Sequence, residues 1–522
     1  MKPFQYFLSL LLALVPLVAP TASHALDGCF PYVQQQAHEQ AQQPFAKTPM
    51  MKVDTGRITY DHYQHIRFRP EKTFWRNEKL PFQLEFMHPG MHFIHPISLF
   101  SWEDGKAKPI TFSSHYFDYT EVADLNLKQD EPHMGFTGFR ILSAFGQPAN
   151  RAPVSETVVF QGASYFRALG QEQRYGLSAR GLAINTAHEG QEEFPDYTHF
   201  WLEKPAKEAN ELVFCALLNS PSLTGASRFV LTPGKATQLE VETHLYPRNT
   251  STPPLEIGVA PLTSMFFHGE NSLSAYGDYR PEVHDSDGLL IQQGKQWLWQ
   301  PLEEVPYFNL QSLPVSDLAG FGLMQRDRDF DHYQDLEAHY HERPSVWVEP
   351  LDDWGKGEIR VLRLHTRSDI VDNVVAYWTA PIGQLPKTLH YRLSWRSTEP
   401  VAHKLGKVIS TRATNRTVDG MPEQKGQVQL RLIVDFAGLP TLPTLPTLTE
   451  IPEVDYTLHG PATAKQMVIQ PNPHTKGWRV IAHILPERCD QPLRLELKLT
   501  NGRNPLTETW SYPLSGDLCS AH

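Results

Sequence analysis

The spacing of apolar and polar positions along this chain is mostly that of strands. Residues 156–169 (ETVVFQGASYFRAL), 237–248 (TQLEVETHLYPR) and 255–269 (LEIGVAPLTSMFFHG) alternate apolar with polar side chains, the period of a half-buried β-strand. Residues 80–100 (LPFQLEFMHPGMHFIHPISLF) predict two strands around Pro89 and Gly90. GLLIQQ followed by KQWLWQPL predicts a hairpin around Gly294. On its second arm Trp297 and Trp299 share one face and Leu298 takes the other, so the two rings line either a core or a cleft floor. Helical period is scarce; residues 333–343 (YQDLEAHYHER) predict one short helix. The chain is therefore read as all-β, a sandwich or barrel.

A boundary falls near residues 380–390. The strand-like run 371–380 (VDNVVAYWTA) gives way to PIGQLPK, a connector with two Pro and a Gly. Four further strand patterns follow at 388–397, 425–438, 477–485 and 492–500, with the spacing of an immunoglobulin-type sandwich. This predicts a large β-sandwich over residues 26–380, a linker at 381–388 and an immunoglobulin-like domain over 389–522. The Pro-Thr run at 439–450 reads as an extended loop of that second domain.

Composition narrows the function classes. The chain has 522 residues, more than one core ordinarily serves, which fits two domains. A formal net charge of -11 argues against an extended nucleic-acid interface and against docking on anionic lipid. The N-terminus has one early Lys, an apolar run from Phe7 to Ala19 and a Ser23-His24-Ala25 end, which predicts a signal peptide over residues 1–25. The apolar run is short for a membrane span, so no stable membrane insertion is expected. Export places Cys29, Cys215, Cys489 and Cys519 in an oxidising compartment. Cys489 and Cys519 lie close in sequence and are the expected disulfide. Cys29 and Cys215 remain as a weaker pair or as free buried thiols.

Candidate chemistry concentrates in three stretches. Residues 279–302 (YRPEVHDSDGLLIQQGKQWLWQPL) hold Tyr279, Arg280, Asp285, Asp287 and two Trp. Carboxylates move protons and flat rings stack on sugars, so a carbohydrate site fits. Asp287-Gly288 is also a turn signal, which would leave Asp285 exposed beside the turn. Residues 324–335 (MQRDRDFDHYQD) form either a solvated ion-pair network or a polar wall for sugar hydroxyls, with Arg326, Arg328, Asp329 and Tyr333 as candidates. Trp354 and Tyr377 are further stacking candidates beside acidic motifs, although most Trp are core residues. Tyr165, Arg167, Arg174, Tyr175 and Arg180 are cleft-wall candidates from a Gly-rich stretch whose spacing does not suit phosphate. His332, His339 and His341 have roughly the spacing of helix-face ligands but lack a matching Cys or carboxylate triad, so no metal and no cofactor is assigned.

Residues 160–186, 279–289, 320–357 (GFGLMQRDRDFDHYQDLEAHYHERPSVWVEPLDDWGKG) and 372–378 (DNVVAYW), with LIVDFAG in the second domain, closely resemble the family of osmoregulated periplasmic glucan biosynthesis proteins, types G and D. The likeness runs over essentially the whole exported chain, and the plain export signal favours type G. It implies a galactose-mutarotase-like N-terminal β-sandwich, an immunoglobulin-like second domain, a periplasmic location, and action on β-1,2-linked glucose with inversion. Carried over by motif, Asp372 is the general acid and Asp285 the base, acting directly or through a water. Inversion asks for carboxyls ~6.5–9.5 Å apart. Val371 departs from the polar residue expected before Asp372. The implied partners are a β-glucan chain and an inner-membrane glucan synthase. The alternative is a non-catalytic glucan-binding scaffold that serves that synthase.

Overall fold

In the computed structural model, residues 28–145, 154–188, 190–249, 254, 256–272, 277–399, 404–414, 429–439, 451–488 and 491–514 are described. The predicted signal peptide and both Cys489 and Cys519 lie outside the described residues. Among the described residues no helix is long and apolar enough to cross a membrane.

The chain folds as an all-β sandwich. One sheet has ten strands and runs in the order Phe82–Met87, Gly138–Ser143, Ser155–Gln161, Tyr165–Ala168, Ser178–Arg180, Ile257–Ser264, Val374–Thr379, Gly357–Arg363, Asn309–Val315, with Leu182–Ile184 also paired to Ile257–Ser264. A fifteen-stranded sheet faces it. The two share one core, in which Phe139 and Phe160 of the first meet Phe200, Phe214 and Phe229 of the second. Alternation drives this packing: along Thr237–Pro247 the inward positions Leu239 and Val241 are fully buried while Gln238 and Glu240 are not. The expected hairpin forms, with Gly288–Gln293 antiparallel to Gln296–Pro301 and the chain turning at Gly294 (φ 53°).

The second unit is a smaller sandwich. Four strands, Lys407–Thr414, Leu430–Ala437, Gly477–Pro486 and Ala462–Asn472, pack over Glu453–His459, Leu493–Asn501 and Thr509–Leu514. The latter three continue the large sheet, because Thr509–Leu514 pairs in parallel with Gln296–Pro301 through Trp510 and Trp299. Trp297, Trp299 and Trp347 thus join the core of the second unit, and the paired Trp face is core.

Two sequence expectations change. Strand Thr388–Arg396, read as the start of the second domain, pairs on both edges with strands of the first, Thr237–Pro247 and Ser345–Pro350. Its buried Leu389, Tyr391, Leu393 and Trp395 fill the first core. The helix expected at 333–343 is broken: Phe330–Tyr333 is one short turn and Tyr340–Glu342 another, separated by left-handed Gln334 (φ 53°) and His339 (φ 50°). For the cysteines, the pair left as the weaker alternative forms, while the expected Cys489–Cys519 bond lies outside the described residues. Cys29 and Cys215 are disulfide-bonded, with Cα atoms 6.0 Å apart. This bond fixes a helix the sequence pattern hid, Cys29–Ala41, whose buried residues Cys29, Val33, Ala37 and Ala41 recur every fourth position. The carbonyls of Gln40, in its last turn, and Gln43, just beyond its end, accept hydrogen bonds from Arg248 at 2.7 Å each.

Candidate active site

Both candidate catalytic carboxylates hang from one strand junction. Ile257–Ser264 ends at Ser264, and Phe266–His268 begins two residues later. The carbonyl of Met265 accepts the Asp285 N–H at 2.8 Å, and the carbonyl of Ser264 accepts the Asn373 N–H at 3.0 Å. The Asn373 side chain completes the clamp. Its Oδ1 accepts the Phe266 N–H at 2.9 Å, and its Nδ2 donates to the carbonyls of Phe266 and Leu364 at 3.0 Å. Asn373 is buried, so these bonds satisfy its whole amide. A further bond between the Ser264 and Ser286 hydroxyls, 2.9 Å, ties down the segment after Asp285. The Asp-Asn pair at 372–373 therefore has a division of labour: Asn373 anchors the chain and Asp372 stands free beside the anchor.

Two arginines flank the pair. Arg343 donates from Nη1 to Asp285 Oδ1, while its Nε and Nη2 hold the Ala338 carbonyl and its guanidinium lies 4.3 Å from the centre of the Tyr340 ring. Arg167 is oriented by Ser178 Oγ at 2.6 Å and brings Nη2 within 3.8 Å of Asp372 Oδ2. Arg343 was not foreseen, because an isolated Arg before a Pro carries no sequence signal.

The two carboxyls differ in environment. Asp285 is 4% exposed, not left open beside a turn. Burial raises its pKa, and the charges of Arg343, Arg167 and His284 pull it back. The side chain of Asp372 remains 27% exposed. Burial pushes its carboxyl up to about 6; Arg167 and Arg343 oppose the shift, and the negative charge of Asp285 adds to it. The result is a partly open carboxyl able to hold a proton beside an arginine-held one.

Asp287 is not a turn residue. Gly288 opens the strand Gly288–Gln293, and a Cβ there would sit 2.3 Å from the Trp299 ring, so this glycine makes room for an indole. Asp287 Oδ2 accepts the N–H groups of Arg326 and Asp327 at 2.8 Å each. Burial pushes this carboxyl up to about 6. Beside it His284 is fully enclosed; burial pulls its pKa down, but the bond and charge of Glu282 outweigh that and hold it up at about 9.

Most of the proposed sugar wall serves the fold instead. Arg326 is locked to Glu508 at 2.6 Å and to Glu399 at 2.7 Å, and lies 3.7 Å over Trp299. Arg328 donates to the carbonyls of His341 and Arg343. Asp329 caps the short turn through the Asp331 N–H, and buried Tyr333 donates to the Asp327 carbonyl. Trp354 is buried against Trp378 and Tyr391, and Tyr377 is buried with its hydroxyl donating to Glu256 at 2.5 Å. Neither ring can stack on a sugar. Arg280 is held by Asp278, Asp335 and Asp369, while Tyr279 is 76% exposed. Tyr175 donates to Glu156, and Arg180 is buried over the ring of Tyr165. Of the Gly-rich stretch, Arg167 alone pairs with a candidate catalytic carboxylate.

Two groups of side chains have metal-ligand character among the described residues outside the disulfide: Glu282 with Asp327 and His332, and His339 with His341 and Glu342. In the first, Asp327 and His332 bond each other at 2.5 Å and Glu282 is held by His284.

Fold and site together define an all-β sandwich protein with a carboxylate pair set between arginines. The chain belongs to the family described as "Periplasmic glucan biosynthesis protein, MdoG", whose model matches residues 29–514. Its relatives include "Glucans biosynthesis protein G" of Ralstonia nicotianae, 40% identical over 96% of this chain and 99% of that one. The protein of the same name in Pseudomonas aeruginosa is 36% identical over 97% of this chain and 95% of its own. "Glucans biosynthesis protein D 1" of Ralstonia nicotianae is 35% identical over 97% and 96%.

Proposed function

We propose that this protein acts in the periplasm on β-1,2-linked glucose backbones, cleaving or transferring them with inversion. Asp372 protonates the departing glycosidic oxygen. Asp285 accepts the proton of the attacking hydroxyl, directly or through a water. Loss of a proton from Asp372 and its gain near Asp285 balance in each turnover, and exchange with solvent resets both.

The observation that carries this reading is the shared junction at residues 264–266, from which both carboxylates are hung in contrasting environments. Desolvation raises the pKa of the half-open acid, and Arg343 favours the charged form of the buried base. Family membership supports a glucan substrate, and an inner-membrane synthase is the implied source of the nascent chain. Incubating the exported protein with linear β-1,2-glucan and resolving products by chain length tests the proposal. Shortened or redistributed chains are expected. Unchanged chains at high protein concentration would leave only a binding role.

A further inference from the structure

Residues 339–342 read His-Tyr-His-Glu. In a strand or a regular helix this spacing would not gather the two histidines and the glutamate. Here His339 takes the left-handed conformation (φ 50°) and starts a single tight turn over Tyr340–Glu342. Tyr340 points inward and is buried, and the flanking histidines emerge together with ring centres 5.9 Å apart. The Glu342 carboxylate reaches both rings. Its Oε2 is 3.8 Å from His339 Nδ1, and its Oε1 is 3.7 Å from His341 Nε2. Ligand atoms of all three residues lie within 4.8 Å of one another.

These distances are close to those a small cation imposes. Donors bound tetrahedrally to zinc at ~2.0–2.1 Å stand ~3.3 Å apart. Closing 3.7 and 3.8 Å to that value needs only small side-chain rotations. The side chains are 27%, 20% and 38% exposed, open enough for an ion to enter and sheltered enough to hold it. His341 Nδ1 is a buried atom with no hydrogen-bond partner, so no bond must break for the ring to turn. The ion-pairing partner of both rings is Glu342. One competitor is present: Arg174 Nε lies 3.2 Å from Glu342 Oε2.

We propose that His339, His341 and Glu342 form a binding site for a divalent transition cation of the zinc type. Two imidazoles and one carboxylate suit such an ion and leave a fourth position for water. The site is separate from the carboxylate pair but mechanically joined to it. Glu342 precedes Arg343, which holds Asp285, and the backbone N–H of Arg174 donates to the Glu342 carbonyl at 3.3 Å. A bound ion would stiffen the turn that presents Arg343.

The test is calorimetric titration of the untagged exported chain with Zn2+ alone. One saturable equivalent is expected. His341→Gln and Glu342→Gln should each weaken it by more than ~10-fold, since even outer-shell changes cost 10–100-fold. His339→Asn should do the same while keeping the left-handed residue, because Asn tolerates that conformation. Arg174→Gln should tighten binding by freeing Glu342. Unfolding midpoints of the metal-free variants, measured alongside, show whether each remains folded. Absence of a saturable equivalent, or one unaltered in His341→Gln and Glu342→Gln, would overturn the proposal. Glucan cleavage plays no part in this readout, so its outcome is independent of the proposed activity.

Discussion

Arg326 and Arg343 come from one acidic segment and face buried carboxylates, yet they mark two different regions. At the seam between the two sandwiches, Arg326 is densely paired: Glu508 takes both terminal nitrogens, Glu399 lies 2.7 Å from Nε, the Val408 carbonyl takes another bond, and Trp299 covers its face. Glu508 itself has no exposed side chain. At the junction near Asp285, pairing is incomplete. Arg343 serves one carboxylate, while Asp372 meets Arg167 only at 3.8 Å and stays partly open. Densely paired charge holds the two units together, whereas loosely paired charge is available for chemistry. Residue type and local motif do not distinguish the two; the partners do.

The largest expected effect lies in the open region. Asp372→Asn and Asp285→Asn should each lower glucan turnover by ~10²–10⁴-fold, the usual cost of removing an acid or a base. Asp372→Asn should not lower the unfolding midpoint at pH 7, since it removes a desolvated charge without changing size; Asp285→Asn keeps an oxygen that accepts from Arg343 but loses the charge of that pair, so its midpoint is measured alongside. If Asp372→Asn leaves glucan maturation intact in cells, the scaffold role replaces the enzymatic one.

At the seam the losses should be in stability. Arg326→Met strands the enclosed Glu508 and should cost about 3–5 kcal/mol in urea unfolding, the range for breaking one side of a buried pair. Its folded fraction should keep its specific activity. A loss of activity without a loss of stability would put Arg326 back in the sugar site.

Asp287 lies between the regions and sharpens the contrast. Asp287→Ala leaves the N–H groups of Arg326 and Asp327 unpaired and should cost about 2–6 kcal/mol, at 1–3 per orphaned group. Asp287→Asn keeps an acceptor oxygen and should lose much less. Equal losses in the two variants would show that the charge, not the two hydrogen bonds, matters.

The smallest effect is in pH dependence. A general acid works only while protonated, and burial raises Asp372 to about 6. Activity should therefore be held below that pH and fall as pH rises through it, with the base setting the acid limb. Arg167 lowers this pKa, so Arg167→Gln should move the alkaline limb upward. A downward move would contradict the assignment of that limb to Asp372.

Strands were legible because burial on one face imposes a period of two, and Thr237–Pro247 shows it plainly. The helix Cys29–Ala41 was not, because its buried stripe is made of Cys, Val and Ala among glutamines and carries little apolar contrast. The place of Thr388–Arg396 was hidden for a different reason. A proline-rich connector marks a loop, but only pairing decides which sheet the next strand joins. Asp285 and Asp372 could be singled out by resemblance. Their common anchor at residues 264–266 and the roles of Asn373 and Arg343 depend on contacts distant in sequence. Trp354 and Tyr377 misled because an aromatic beside an acidic motif reads alike whether it faces a sugar or the core.

The most direct test of the carboxylate pair is stereochemical. Exported protein and linear β-1,2-glucan would be followed by proton NMR from the first minutes, before the reducing end equilibrates. The α-anomer of the new reducing end is expected to appear first, and neither Asp372→Asn nor Asp285→Asn should produce it at a comparable rate. First appearance of the β-anomer, or unaltered glucan throughout, would contradict the assignment of the carboxylate pair.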